Sequence, residues 1–453
     1  MTRSTRRTFL ATSAALTVPF IPRAVLGGEG KPSANSKINL ASIGAGGQAA
    51  GDLSNMTGEN IVALCDVDDR RAADMFKRFP QAKKYKDFRK MLDELEGKID
   101  AVLVGTPDHT HAVAATAAIQ RGKHVYCEKP LAHSVAEIRQ MRKLAKEKNV
   151  ITQVGNQGHS SDSIRVFCEW VWDGAIGKVS EVHAGCGIFR DTYCRINRLE
   201  AVKKERPPVP AELDWDLWQG PVAARPYHSD YCPWNWRGWM PYGSGALGDW
   251  VCHVIDPVFW ALDLDMPIAV HAETDDYDPV KYADCYPAGA QVTFEFAAKG
   301  DRGPVKLVWY DGKRPIPRPA ELEAGRNVGD VGAVVVGDKG KILYGSHGAG
   351  GCRLIPETKM QDYQKSKKHE QKIPRVRTSH QGDWLDAIRA GRQAVSPFEY
   401  GGRLSELGLL GVIAIQMTGK KLQYDEQAMR FTNSDEATRL LTPSYRAGWR
   451  LYG

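Results

Sequence analysis

Nine cysteines include no C-x-x-C pair, and several sit inside apolar runs, at Cys65, Cys127 and Cys252. That argues against zinc-ribbon and thioredoxin-type sites and favours buried thiols over a disulfide framework. No apolar run is long enough to form a permanent bilayer-spanning helix, so no stable membrane insertion is expected. Charge of one sign is never concentrated: the net +7 over 453 residues is dispersed, apart from Lys203-Lys204-Glu205-Arg206 and Lys365 to Lys372. Neither cluster accompanies a nucleic-acid motif, so both read as solvated loops and no nucleic-acid partner is expected. A metal centre lacks its ligand set, since His253-x-x-Asp256 has no third ligand at informative spacing.

What is present opens with a short apolar run, Ile38 to Ile43, followed by Gly44-Ala45-Gly46-Gly47-Gln48-Ala49 and a helix-compatible segment to Met56. This is the G-x-G-x-x-A form of the dinucleotide fingerprint. Gly44 permits the tight turn, Gly46 admits a pyrophosphate, and Ala49 allows close helix packing. A second run, Asn60 to Leu64, ends in Cys65-Asp66. Asp66 stands where an acidic residue binds the adenosine ribose, which favours NAD and makes NADP less expected. Arg70 and Arg71 lie close enough to matter.

Strand and helix segments then alternate. Ala101 to Val104 ends in Gly105-Thr106-Pro107-Asp108-His109-Thr110-His111, with a helix expected from about Ala112 to Arg121. Lys123 to Tyr126 reads as a fifth strand, Ser134 caps a charged helix running to Lys148, and Ile151 to Val154 is a sixth strand. Such alternation predicts a parallel sheet. Cys127-Glu128-Lys129-Pro130 falls at the carboxyl end of the fifth strand, where open α/β sheets bind ligands. A lysine there suits proton transfer beside a nicotinamide. His111 either lines that pocket or caps a helix.

From Lys178 onward Val179 to His183, Gln291 to Phe296, Val305 to Tyr310 and Val331 to Val336 predict a largely antiparallel sheet. A long irregular segment, Asp191 to Tyr242, interrupts it and begins a dense run of rings: Trp215, Trp218, Tyr227, Tyr231, Trp234, Trp236, Trp239, Tyr242 and Trp250. Each suits either a sugar face or internal packing. Asp249 and His253 follow a glycine-rich opening at helical spacing, four apart, and share one helix face. Together they can orient a hydroxyl and shuttle its proton; a helix cap with a buried histidine is the plainer alternative.

The glycine turn, Thr106-Pro107…His111, Glu128-Lys129-Pro130 and Asp249-x-x-x-His253 together resemble the glucose–fructose oxidoreductase / inositol dehydrogenase / rhizopine-catabolism (Gfo/Idh/MocA) family. Trp236-Arg237 is similar to its cofactor-contacting W-R pair. Ser379 to Trp384, Phe398 to Tyr400 and Tyr445 to Trp449 resemble its exported, twin-arginine-bearing members. The resemblance implies an α/β fold: a signal and linker over 1–35, an NAD-binding Rossmann domain over 36–156, and an α+β substrate and oligomerisation domain over 157–453. The second domain is expected on a large, mostly antiparallel open-faced sheet, in a homodimer or homotetramer. Lys129, Asp249 and His253 are implied as catalytic, with Glu128 beside the cofactor and Asn156 and Gln157 as further substrate contacts. One glycosidase branch of the family lacks the E-K-P lysine, and this chain keeps it.

The expected chemistry is hydride transfer with a sugar, polyol or glycoside. His253 acts as base, Lys129 shares or relays its proton, and Asp249 orients the imidazole and substrate. Lys129 would need a lowered pKa, which burial supplies and Glu128 opposes. A glycosidase working by transient oxidation and elimination is the alternative. A non-catalytic sugar- or cofactor-binding protein would gain nothing from Lys129, Asp249 and His253 together. Thr5-Arg6-Arg7-Thr8-Phe9-Leu10 followed by the modest apolar run Leu10 to Ile21 predicts export by the twin-arginine machinery to the periplasm or beyond. That route moves folded proteins, so the cofactor is expected to travel bound and to be regenerated on the enzyme in a redox-neutral cycle.

Overall fold

The first sheet is built from β1 (Asn39–Ile43), β2 (Asn60–Cys65), β3 (Lys83–Tyr85), β4 (Ala101–Val104), β5 (His124–Cys127) and β6 (Thr152–Val154). The computed structural model describes residues 37–366 and 370–452. The twin-arginine motif and three residues of the second basic cluster lie outside the described residues. The strands pair in parallel in the order β3-β2-β1-β4-β5-β6, the doubly wound arrangement of dinucleotide-binding domains. All four residues of β4 are buried, as expected for a central strand covered on both faces.

Alternate side chains feed two separate cores. Ala41, Ile43, Val102 and Val104 face one, while Leu40, Ala101, Leu103 and Tyr126 face the other, where they meet Trp384 and Leu385. The helix His380–Ala390 therefore packs on the first sheet although it comes late in the chain. Ser134 caps Val135–Glu147 as expected, its hydroxyl accepting from the Glu137 N–H. The helix after β4 runs Asp108–Gln120, starting four residues before its expected origin. Pro107 at its N-cap presets the backbone, and Asp108 in the first turn favours the positive dipole end.

The second sheet contains β7 (Val179–Cys186), β8 (Ala269–Thr274), β9 (Gly289–Phe296), β10 (Val305–Gly312), β11 (Val331–Gly337), β12 (Gly340–Tyr344), β13 (Arg353–Ile355), β14 (Leu422–Asp425) and β15 (Arg430–Phe431). Its order is β13-β12-β11-β7-β10-β9-β8-β14-β15. Every pair is antiparallel except β7 with β10. Two helices, Gly245–Val254 and Phe398–Gln416, pack on each other and against this sheet. The second is apolar nearly all round, as a buried helix must be. A Cβ at Gly411 would lie 2.3 Å from Leu247 Cδ2 and 2.7 Å from Phe294 Cζ, so helix, helix and sheet meet there without room for a side chain.

The long segment from Asp191 to Tyr242 folds into short helical turns around an aromatic core of its own. Trp215 and Trp218 stack at 4.9 Å, and Tyr231 and Tyr242 meet edge-on at 5.1 Å. Seven of the nine clustered rings are spent on this packing; Trp234 and Trp250 are not. The segment crosses back to the first domain, where the Asp69 N–H donates to Glu212 O at 3.3 Å. Among the described residues all nine cysteines are unpaired, seven of them buried, and no helix is long and apolar enough to cross a membrane.

Candidate active site

The glycine turn leaves β1 and enters the helix Gly47–Ser54. Gly44 has φ +91, and a Cβ on it would lie 2.6 Å from Gly105 O. A Cβ on Gly46 would lie 2.7 Å from Arg71 O. Ala49 allows the approach of Gly105, whose own Cβ would meet that of Ala49 at 2.7 Å. Asp66 accepts from the Ala45 N–H at 2.8 Å and the Asp68 N–H at 3.0 Å, so its carboxylate braces the turn as well as facing the cleft.

The cleft runs from Gly44, Gly46, Gly47, Gln48 and Asp66, past Thr106 and Pro107, to Glu128, Lys129 and Asp249. Bare backbone stands at the helix N-terminus, with no side-chain cap on it. That cradle, which a Cβ would fill, fits a dinucleotide pyrophosphate. Trp218, Cys232, Trp234, Trp236 and Arg237 close the cleft from the second domain, and Trp449 closes it from near the far end of the chain. Trp449 is held beneath the Arg89 guanidinium at 4.4 Å.

Lys129 at the end of β5 forms an ion pair with Asp249 Oδ1. The other oxygen, Oδ2, accepts from the Tyr193 hydroxyl at 2.5 Å and lies 3.3 Å from Arg237 Nε. Burial pulls the Lys129 ammonium down, but Asp249, with Glu128 adding to it, more than offsets this, and the net direction is upward. The lowered pKa expected from the sequence is therefore corrected. Burial alone would have supplied it, but the partner that reverses it sits on a helix 120 residues away. Asp249 is held well below the usual carboxylate range: burial opposes this, and Lys129 and Arg237 overcome it.

His253 shares the Asp249 helix. Burial pushes its imidazole well below the usual histidine range, and the Lys129 charge and His347 push the same way. Its Nδ1 is buried with no hydrogen-bond partner. The ring stacks on that of His347 at 4.2 Å, and the His347 N–H donates to His253 O at 2.8 Å. Asp249 is not bonded to the imidazole, so its expected role in orienting His253 directly is not what the geometry shows. It organises Lys129, Tyr193 and Arg237 instead.

Glu128 is buried beneath Lys129, with Oε1 accepting from Gln157 Nε2 at 2.7 Å. Burial pushes its carboxyl well up, and the neighbouring Asp52 adds to the effect. Gln157 thus binds Glu128 rather than facing the cleft. Asn156 is fully buried and donates to Asp256 Oδ2 at 3.0 Å; neither residue lines the cofactor cleft. His111 lies inside its helix, with Nδ1 2.8 Å from Pro130 O and Nε2 2.8 Å from Thr106 O. It ties the E-K-P turn to the Thr106 loop and does not line the cleft. Sequence reasoning missed Tyr193 and His347. The glycine-rich stretch Gly345 to Gly351 was the available signal for His347, while nothing near Tyr193 marks it.

The doubly wound sheet, its glycine cradle and the ionisable cluster at the strand ends define a nucleotide-dependent oxidoreductase architecture. Residues 38–156 match the Gfo/Idh/MocA oxidoreductase family's NAD-binding Rossmann fold, and residues 196–299 match its C-terminal α/β domain. The two matched segments carry that family's two domains, and the first is NAD-binding. It is 30% identical over 194 residues to levoglucosan dehydrogenase of Pseudarthrobacter phenanthrenivorans, covering 43% of this chain and 40% of that one. It is 29% identical over 143 residues to myo-inositol 2-dehydrogenase of Thermotoga maritima, covering 31% and 42%. These matches span less than half the length of either relative. A solved levoglucosan dehydrogenase with NADH and levoglucosan shares the fold, with TM-score 0.55, 18% identity and coverage of 85% of this chain and 99% of that one.

Proposed function

We propose that the protein transfers hydride between a carbon of a sugar, polyol or glycoside and an NAD that stays bound throughout turnover. The ion pair of Lys129 with Asp249, brought from separate domains to one end of the cofactor cleft with His253 one helical turn behind, carries this reading. The nicotinamide, when bound, supplies the hydride acceptor or donor. Neutral His253 takes the hydroxyl proton, its imidazole kept uncharged by burial and by the nearby Lys129 ammonium. Lys129 remains an ammonium, held by Asp249, and stabilises negative charge developing on the reacting oxygen. Tyr193 and Arg237 fix the Asp249 carboxylate, so the ammonium is preorganised before substrate arrives.

Retention of the cofactor is supported by the second-domain residues and Trp449 that line the cleft together with the glycine turn. With twin-arginine export to the periplasm, retention favours a redox-neutral cycle: one sugar is oxidised and another reduced, or one glycoside is oxidised, cleaved and reduced back. The homo-oligomer, a dimer or tetramer, would use the open face of the nine-stranded sheet. The test is to denature the purified mature protein and assay the supernatant for NAD. Stereoisomeric sugars are then added to native protein without free cofactor, following reduced-nicotinamide absorbance. Bound NAD that reports sugars unaided is the expected result. An apo protein that works only with millimolar added NAD refutes it.

A further inference from the structure

We infer that Phe189, Trp234 and Trp250 form a stacking subsite for a second sugar ring, so that the substrate is a glycoside of at least two rings. This rests on the oxidoreductase reading above. Two large rings that sequence and packing would bury are left open here: Phe189 is 51% exposed and Trp234 47%. They belong to one rim, with ring centres 6.3 Å apart between Phe189 and Trp234 and 6.4 Å apart between Phe189 and Trp250. Trp250 follows Asp249 in the chain and contacts the His253 ring edge-on at 5.5 Å. The rim therefore starts at the catalytic helix and extends outward by more than one ring's width.

One helical turn, Arg190–Tyr193, fixes rim and catalytic carboxylate together. Phe189 caps it with φ +55 and ψ 33, a left-handed conformation that is costly for a bulky residue and is retained where surrounding structure imposes it. Thr192 Oγ1 accepts from Trp234 Nε1 at 3.1 Å. Tyr193 donates to Asp249 and accepts from Trp250 Nε1 at 2.8 Å. Both indole N–H groups are thus spent within the protein, and, with the Arg237 guanidinium 4.2 Å over one side of the Trp234 ring, Trp234 offers its other face rather than hydrogen bonds. A flat apolar face beside a hydroxyl-handling cluster matches the C–H face of a pyranose one unit from the reacting ring. A monosaccharide seated between Lys129 and His253 would leave this rim bare.

The test compares kcat/KM for gluco-, galacto- and manno-configured disaccharides with kcat/KM for their monosaccharides, read from the absorbance of the bound cofactor. Phe189→Ala and Phe189→Gly, the latter free of backbone strain, should lower the disaccharide-to-monosaccharide ratio about tenfold, and Phe189→Tyr should restore it. A ratio within about twofold of the parent in both variants overturns the subsite. So does a variant that changes only the oligomeric state in sedimentation, which would make the rim a contact between copies. If no saccharide alters the cofactor of the parent protein, the oxidoreductase reading fails by itself. Calorimetric disaccharide binding then decides the subsite: binding weakened about tenfold by Phe189→Ala supports it, and no binding by the parent overturns it.

Discussion

Replacing Asp249 by Asn keeps the shape of the side chain and removes its charge. Lys129 touches one oxygen and Arg237 Nε lies 3.3 Å from the other. At an effective dielectric of about 20, a pair at that separation is worth about 5 kcal/mol of attraction. Removing the anion also removes its own burial cost, so the net loss of stability falls to about 3–5 kcal/mol. The sign with pH follows from the depressed Asp249 carboxyl. Its stabilisation is fully present above 3.8 and is lost as pH falls through its lower folded value. The effect on rate is sharper. In the parent protein the active form has neutral His253 and protonated Lys129, so the plateau should extend below pH 6.5 and above pH 10.5. In Asp249→Asn, burial dominates at Lys129 and the alkaline limb moves downward. Turnover at the optimum should fall by about two orders of magnitude or more. The assay is a pH–rate profile on the holoenzyme, with thermal melts alongside. An alkaline limb that stays in place refutes the electrostatic account. A parent rate that climbs through the alkaline range makes Lys129, not His253, the base.

Lys129→Met should lose about two orders of magnitude or more in turnover while NAD stays bound, measured by single turnover and cofactor release on denaturation; near-normal turnover removes Lys129 from the mechanism. Purified protein should carry NAD and bind NADP more weakly, because Asp66 repels a 2′-phosphate. Tighter NADP binding would point to Arg71, which lines the cleft beside the glycine turn. Arg375→Met should cost about 3 kcal/mol by leaving the buried Glu169 carboxylate without its guanidinium partner. Although burial opposes it, Arg375 and the Ile373 and Lys372 N–H groups hold Glu169 at about 2, so this stability is present above 4.5 and fades as pH falls from there toward about 2. Chemical melts near pH 7 and near pH 3 should show a larger difference between variant and parent at the higher pH.

Features set by local pattern were legible in the sequence. The parallel strands, the glycine turn, the Ser134 cap and the shared face of Asp249 and His253 all depend on spacings of a few residues. The four strands expected in the second sheet are present, each extended by one to three residues at its ends. β8 went unseen as well as β12 to β15, and the latter have five residues or fewer, which carry little periodicity. Where tertiary partners decide, local reasoning failed. The ammonium of Lys129 is governed by Asp249, His111 serves two backbone carbonyls, and Asn156 and Gln157 turn to Asp256 and Glu128. Composition could not sort the clustered rings either, because burial and exposure are properties of where the chain returns. The structure separates Trp215, Trp218 and Trp239, which are buried, from Trp234 at the rim.

Trp449 and the turn at Gly44 to Gly47 line the same cleft yet stand near opposite ends of the chain, which imposes an order of assembly. On a ribosome the first domain can fold as a unit while later segments are still being made. Its cleft is then complete on the nucleotide side but unroofed. Residues 217 to 237 arrive next, and the Arg446 guanidinium, made more than 200 residues later, ties its segment to Gly220 O at 2.6 Å. Until then a dinucleotide can meet the glycine turn without the second-domain residues that later line the same cleft.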